Sequence, residues 1–258
     1  MAEIQVILQG FGASTSEGLL AYCGVTLIRG QHTTLVDVGY QARQELLLHR
    51  LNAAGVARES VDRIVLTHAH WDHALNLLMF PNAEVVIHKD EYDYVQQPNP
   101  LDWATPGYTP DILRRCKAVT TVTDGDELEP GVRVMAVPGH SPGTMAVLVD
   151  TPEEVAGMVG DALPARAAAM APVPSARLIF FDEKAGQRSA RRIIDTCRFV
   201  YPGHDRPFRV EAGSFNYIQS TEINLLNPPR DEDGTMRGGL NEAAIPFETV
   251  VQPSARRS

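Results

Sequence analysis

An α+β fold, with two β-sheets packed face to face and covered by helices, is predicted by three observations. Short strand-like runs fill both halves of the chain, helical patterns recur between them in each half, and 258 residues suffice to bury two sheets. Nothing from residue 1 to residue 210 reads as a linker, so that span is taken as one domain. Residues 211–258 differ, with a polar, turn-rich stretch at 227–234. They are expected to form a C-terminal arm that completes the domain or an oligomer interface, and a homo-oligomer is expected with them.

Taken in order, Ile4, Val6 and Leu8 alternate as in a strand, and Gly10 to Gly12 marks a turn. Residues 19–28 and 33–38 read as two strands joined through Gly30. Residues 41–54 carry Leu46, Leu47 and Leu51 at helical spacing and end at Gly55. A short buried strand, 63–67, is followed by a short helix at 74–79 and a strand at 83–88. In the second half, 132–137, 145–150, 155–159 and 199–201 read as strands and 189–196 as a helix. Most neighbouring strands are expected to pair antiparallel.

Composition narrows the function. Apolar residues at 44% exclude a disordered chain, and a net charge of −9 argues against nucleic acid as a partner, since phosphate is bound by Lys and Arg. No apolar run reaches a membrane-spanning length, and residues 1–5 lack the basic start of a secretory leader, so no membrane partner and a cytoplasmic location are expected. Three cysteines make no disulfide framework.

The chemistry lies at strand ends. Five of the eight histidines, His68, His70, His73, His140 and His204, stand where a strand has just finished, and Asp72 and Asp161 stand in similar places. Imidazole nitrogen and carboxylate oxygen are ligands for zinc, manganese or iron at a hydrolytic site. Alternation lets an extended loop aim 68, 70 and 72 one way and turns His73 toward a neighbouring centre, so one loop serves two metals about 3.5–4 Å apart. At this composition the pattern His-x-His-x-Asp-His arises by chance in roughly five chains of this length in ten thousand. Seven donors exceed what a closed structural site needs.

These residues, Thr67 to His73 followed by Gly139–His140, Asp161 and Gly203–His204, resemble the motifs of the metallo-β-lactamase-fold hydrolases over about residues 1–210. The resemblance implies a four-layer αββα sandwich with two divalent metal ions, Zn2+ foremost with Mn2+ or Fe2+ as alternatives, at one edge between the sheets. It implies His68, His70 and His140 around the first metal, Asp72, His73 and His204 around the second, and Asp161 bridging them. Asp37 resembles the family's aspartate that orients a ligand histidine. The motif spacings look most like the lactonase and related small-hydrolase branches. Two departures matter: no cysteine falls at a ligand position as in many zinc β-lactamases, and Pro164 stands where homoserine lactonases carry a tyrosine.

The expected activity is metal-dependent hydrolysis of a small molecule at an ester, lactone or thioester-type bond by a metal-bridging hydroxide, with Asp72 passing the proton to the leaving group. Tyr108 and Trp103, in the aromatic segment 92–108, and Phe180 and Phe181, which follow Asp161, are candidates for the substrate pocket. The alternatives on the same frame are a mononuclear iron sulfur dioxygenase and a phosphodiesterase or nuclease.

Overall fold

A computed structural model describes residues 2–15, 18–171 and 179–220. Among these residues fifteen strands form three sheets. A six-stranded sheet holds β1 (Glu3–Leu8), β4 (Val25–Arg29), β5 (Thr33–Val36), β6 (Arg63–Val65), β7 (Glu84–His88) and β8 (Ala118–Val122), in the order β1-β4-β5-β6-β7-β8. A seven-stranded sheet holds β9 (Glu127–Glu129), β10 (Val132–Ala136), β11 (Met145–Asp150), β12 (Val155–Gly160), β13 (Phe199–Pro202), β14 (Phe208–Glu211) and β15 (Ser214–Tyr217), in sequence order across the sheet. A separate hairpin joins β2 (Phe11–Thr15) to β3 (Gly18–Tyr22). The helices are α1 (Gln44–Ala53), α2 (Trp71–Ala74), α3 (Lys89–Tyr94), α4 (Thr109–Arg115), α5 (Arg166–Met170) and α6 (Glu183–Thr196).

Three apolar layers hold these parts together, and strand periodicity accounts for them. In β11, Met145, Val147 and Val149 face the other sheet, where they meet Ile28, Val36, Val65 and Val86. Ala146 and Leu148, one residue out of phase, face the opposite way and pack with Ala190 and Ile193 of α6. In β7, Val86 lies between the sheets while Val85 and Ile87 join Leu47 and Leu51 of α1 in the third layer. A strand buried on two faces needs apolar residues at every position, which is why β11 and β12 read as continuous apolar runs. The layering is the αββα sandwich expected of the sequence.

Most strand pairs among the described residues are antiparallel, as expected, and the exceptions matter. The pairs β5–β6, β6–β7, β7–β8 and β12–β13 are parallel. A parallel pair needs a crossover, and here residues between the strands supply it, including α1 before β6 and α6 before β13. The consequence is functional. β5 and β6 run together, as do β12 and β13, and β10 runs with them because β11 reverses between β10 and β12. The loops after β5, β6, β10, β12 and β13 therefore leave at one edge of the sandwich.

Two further readings are corrected. Residues 19–28 are two strands broken at Cys23–Gly24, and Gly10 to Gly12 leads into β2 instead of turning. Gly10 lies so close to the other half that a β-carbon there would stand 2.2 Å from Gly203 O. At the far end, β14 and β15 carry the seven-stranded sheet to Tyr217, past residue 210. Residues 221–258, the rest of the predicted arm, lie outside the described residues.

Candidate metal centre

Backbone hydrogen bonds knit the edge where the loops converge. Asp37 N donates to Val65 O at 3.0 Å, Val38 N to His73 O at 2.9 Å, Met145 N to Thr67 O at 2.8 Å and Gly24 N to Gly203 O at 2.7 Å. The last two cross from one half of the chain to the other. Within this frame residues 68–70 are extended, but Trp71–Ala74 is a helical turn begun at His70. Simple alternation thus carries the side chains only as far as His70; the turn brings Asp72 and His73 in.

The seven predicted donors meet in one cluster, buried but for the part-buried His204. His68, His70 and His140 form a group whose ligating atoms lie within 4.8 Å of one another, as do those of Asp72, His73 and His204. Asp161 stands between: it also groups with His68 and His73, its Oδ2 is 3.5 Å from His140 Nε2 and 3.1 Å from His204 Nε2, and its Oδ1 is 3.5 Å from His73 Nε2.

Three imidazoles are hydrogen-bonded from behind, and a fourth faces a carboxyl group. Asp37 Oδ2 lies 2.8 Å from His73 Nδ1 and accepts the Thr67 hydroxyl at 2.8 Å. With its proton on Asp37, Thr67 Oγ1 accepts from His68 Nδ1 at 3.1 Å. His204 Nδ1 faces the carbonyls of Tyr22 and Phe11 at 3.1 and 3.3 Å, so the β2–β3 hairpin orients it. His70 is reversed: its Nδ1 faces His140 Nε2 at 2.9 Å and its Nε2 lies 3.5 Å from Asp102.

What remains points at the centre. His68 Nε2, His73 Nε2 and Asp161 Oδ1 are buried and have no hydrogen-bond partner among the described residues; His70 Nε2, turned to Asp102 at 3.5 Å, also makes no hydrogen bond. A buried polar atom left unpaired costs about 1–3 kcal/mol, so a cluster of them needs a compensating ligand. Imidazole lone pairs and carboxylates converging without Lys or Arg fit a divalent cation. The electrostatics agree. Burial and then the adjacent His73, His70 and His140 push His68 well below the usual imidazole range, so it stays neutral. Burial opposes protonation of His73 and His204, but carboxylates prevail: Asp72 leads in raising His73 well above its usual range, and Asp161 and Asp72 push His204 up to about 9. Burial of Asp161 is likewise outweighed by His204 and His73, which hold its carboxyl well below the carboxylate range.

Sequence reasoning missed two carboxyl groups. Glu91, on α3, is fully buried and accepts from Ala69 N at 2.9 Å, Gly143 N at 3.0 Å and Ser141 Oγ at 2.6 Å, clamping the loop of His68 to that of His140. Asp102 stands behind His70. Both are acidic residues 18 or more positions past the motif, and only their shared burial distinguishes them from surface charges.

A cavity of about 420 Å³ opens onto the donors. Asp72, His70, His140, Asp161 and His204 form its polar floor, and Leu19, Ala21, Trp71, Trp103, Pro164 and Phe180 give apolar walls. No Lys or Arg lines it among the described residues. The Trp103 and Phe180 rings meet edge to face, centroids 5.6 Å apart. Two pocket candidates lie elsewhere: Tyr108 and Phe181 are exposed and do not line the cavity, because α4 begins at Thr109 and the chain turns outward between Phe180 and α6. Tyr217 has the Arg166 and Arg206 guanidinium groups over its ring and donates to Asp205, and it does not line the cavity.

Comparison with known proteins agrees with this geometry. The sequence profile of the metallo-beta-lactamase superfamily matches residues 21–204. Metallo-beta-lactamase domain-containing protein 1 of Xenopus laevis is 30% identical over 209 residues, covering 80% of this chain and 81% of its own; the human protein of that name is 32% identical over 181 residues, 68% of this chain and 59% of its own. An N-acyl homoserine lactonase of Bacillus cereus is 31% identical over 113 residues, 42% of this chain and 40% of its own. Among solved structures, the dizinc quorum-quenching lactonase AidC in complex with N-hexanoyl-L-homoserine superposes with a TM-score of 0.64 at 20% identity, over 81% of this chain and 83% of that one.

Proposed function

The chain belongs to the metallo-β-lactamase superfamily, and on that premise we propose that this metal-dependent hydrolase uses two divalent cations, zinc foremost, to cleave a small neutral molecule at an ester, lactone or thioester bond. His68, His70 and His140 would hold one cation, Asp72, His73 and His204 the other, with Asp161 shared. When bound, such cations lower the pKa of coordinated water toward neutrality and polarise an electrophilic carbon as Lewis acids.

The protein's own groups supply the rest. Trp103, Phe180 and Leu19 take the apolar part of the substrate and exclude water around the reacting bond. Asp72 borders the cavity with its Oδ2 3.3 Å from His204 Nε2, so a proton held there can pass to the leaving group. Asp37, Thr67 and the hairpin carbonyls fix the ring orientations on which the constellation depends.

The observation that carries this reading is an apolar cavity, free of described Lys or Arg, ending on the donor cluster. A phosphodiester would leave its charge unanswered by those walls. Metal content per chain, measured with turnover of chromogenic ester, lactone, thioester and phosphodiester substrates, tests it. About two zinc or manganese ions and ester-type turnover are expected. One iron with oxygen consumption and no hydrolysis would replace it with the dioxygenase alternative, and phosphodiester turnover alone would replace it with the nuclease one. A small-molecule substrate in a cytoplasmic protein is part of the same proposal; no described helix is long and apolar enough to cross a membrane.

A further inference from the structure

We infer that Asp102 is the positioning residue for His70, holding the proton on Nε2 so that Nδ1 is the nitrogen offered to the metal centre. The inference rests on the metal reading above. Asp102 is a fully buried side chain whose Oδ2 lies 3.5 Å from His70 Nε2.

The carboxyl group is itself immobilised. Its Oδ1 accepts from Ala104 N and Thr105 N at 2.9 and 3.1 Å, a local turn that one oxygen satisfies. The second oxygen is not needed for that turn. It accepts from Tyr94 Oη at 2.8 Å and Thr105 Oγ1 at 2.7 Å, and these two donors aim it at the ring.

A neutral imidazole has one proton and two nitrogens, so whichever atom is protonated cannot ligate. Nδ1 of His70 faces His140 Nε2 at 2.9 Å, inside the donor group with His68. A proton on Nδ1 would close that position to a cation. A buried acceptor behind Nε2 draws the proton to the other side, as Asp37 does for His73 with the nitrogens exchanged. The Asp102 loop also carries Trp103 of the cavity wall, and Trp71 N donates to Ala104 O at 2.9 Å. Ligand orientation and substrate wall are thus fixed by one segment.

The test uses the full chain as wild type, Asp102→Asn and Tyr94→Phe. In Asp102→Asn the amide oxygen keeps the backbone turn, while the amide nitrogen becomes a donor facing Nε2 and drives the proton to Nδ1. Zinc affinity, read by competition with a chromophoric chelator, is expected to fall about 10–100-fold. Tyr94→Phe leaves the acceptor in place but removes one of the two donors that aim it, and is expected to lower zinc affinity by less than Asp102→Asn does. Equal zinc affinity in folded Asp102→Asn would overturn the inference. A second measurement needs no Asp102 variant: long-range 1H–15N spectra of the metal-free wild type, with His70 assigned through His70→Gln, should show the Nε2–H tautomer. The Nδ1–H tautomer would overturn the inference. A wild type that takes up no zinc would sink the metal reading, and the tautomer would still decide the role of Asp102.

Discussion

Asp37 Oδ2 stands 2.8 Å from His73 Nδ1, and the same carboxyl group binds Thr67 through its backbone N–H and its hydroxyl. One side chain thereby orients a histidine of the second donor group directly and His68 of the first group through Thr67. Its backbone has φ 57°, a left-handed conformation that Asp and Asn tolerate better than most residues. The strand β5 ends there, and that reversal turns the carboxyl group inward.

Asp37→Asn should preserve the fold, because Asn accepts the same φ, yet it exchanges one acceptor oxygen for a donor. Zinc affinity is expected to drop about 10–100-fold, with a near-native circular dichroism spectrum. Isothermal titration of the metal-free variant measures it, and an unchanged affinity would separate Asp37 from the centre.

Glu91→Ala removes the acceptor of three buried donors on two loops. Stranding buried N–H and O–H groups and opening a cavity should cost about 3–5 kcal/mol of stability. Urea unfolding of the metal-free chain reads this directly; a loss under about 1 kcal/mol would mean that water replaces the clamp.

Gly203→Ala places a β-carbon 2.1 Å from Asp161 Oδ1 and 3.0 Å from Gly160 C. The backbone cannot yield easily, since Gly203 N donates to Gly160 O and Gly203 O accepts from Gly24 N. Asp161 must move, so metal content by elemental mass spectrometry should fall below that of wild type. Full loading would show that the carboxyl group is free to relocate.

Stability should respond to pH in opposite senses with and without metal. In the metal-free chain burial lowers His204, but Asp161 outweighs it and pushes His204 up to about 9, against roughly 6.5 when unfolded. The stability it contributes is full below about pH 6.5 and is lost as pH rises through about 9. A cation takes the place of that proton. The rise in Tm on adding zinc should therefore be larger at pH 9 than at pH 6.5, which differential scanning calorimetry can check; an equal or smaller rise at pH 9 would refute it.

Trp103→Ala removes half of the aromatic pair with Phe180 and touches none of the seven donors. With an ester substrate bearing an apolar chain, KM should rise about tenfold while kcat stays within about threefold, the pattern of lost uniform binding. A fall in kcat alone would place Trp103 in the chemistry instead of the wall.

The site was legible in the sequence because its residues are dense, of rare types, and placed where strands end. His68 to His73 announce themselves within six positions. Asp37 was legible only as the last residue of a strand before Gly39. Asp102 and Glu91 were not: Glu91 binds backbone N–H groups of two distant loops, Asp102 closes an ordinary local turn whose second oxygen meets His70 only in the fold, and each sits in an aromatic, proline-bordered region that reads equally as surface. Tyr108 and Phe181 misled for the complementary reason, since an aromatic side chain near a site reveals nothing about which way its backbone carries it.

By itself the sequence determined the donor set and the layered α+β architecture, because these follow from residue type and from strand and helix periodicity. Tertiary structure alone decided which strands run parallel, and so which loop ends share an edge. It also decided which nitrogen of His73, His68, His204 and His70 faces inward, through Asp37, Thr67, the hairpin carbonyls and Asp102. Those outcomes depend on contacts between residues up to 193 positions apart, and no local propensity encodes a partner that only folding brings within hydrogen-bonding distance.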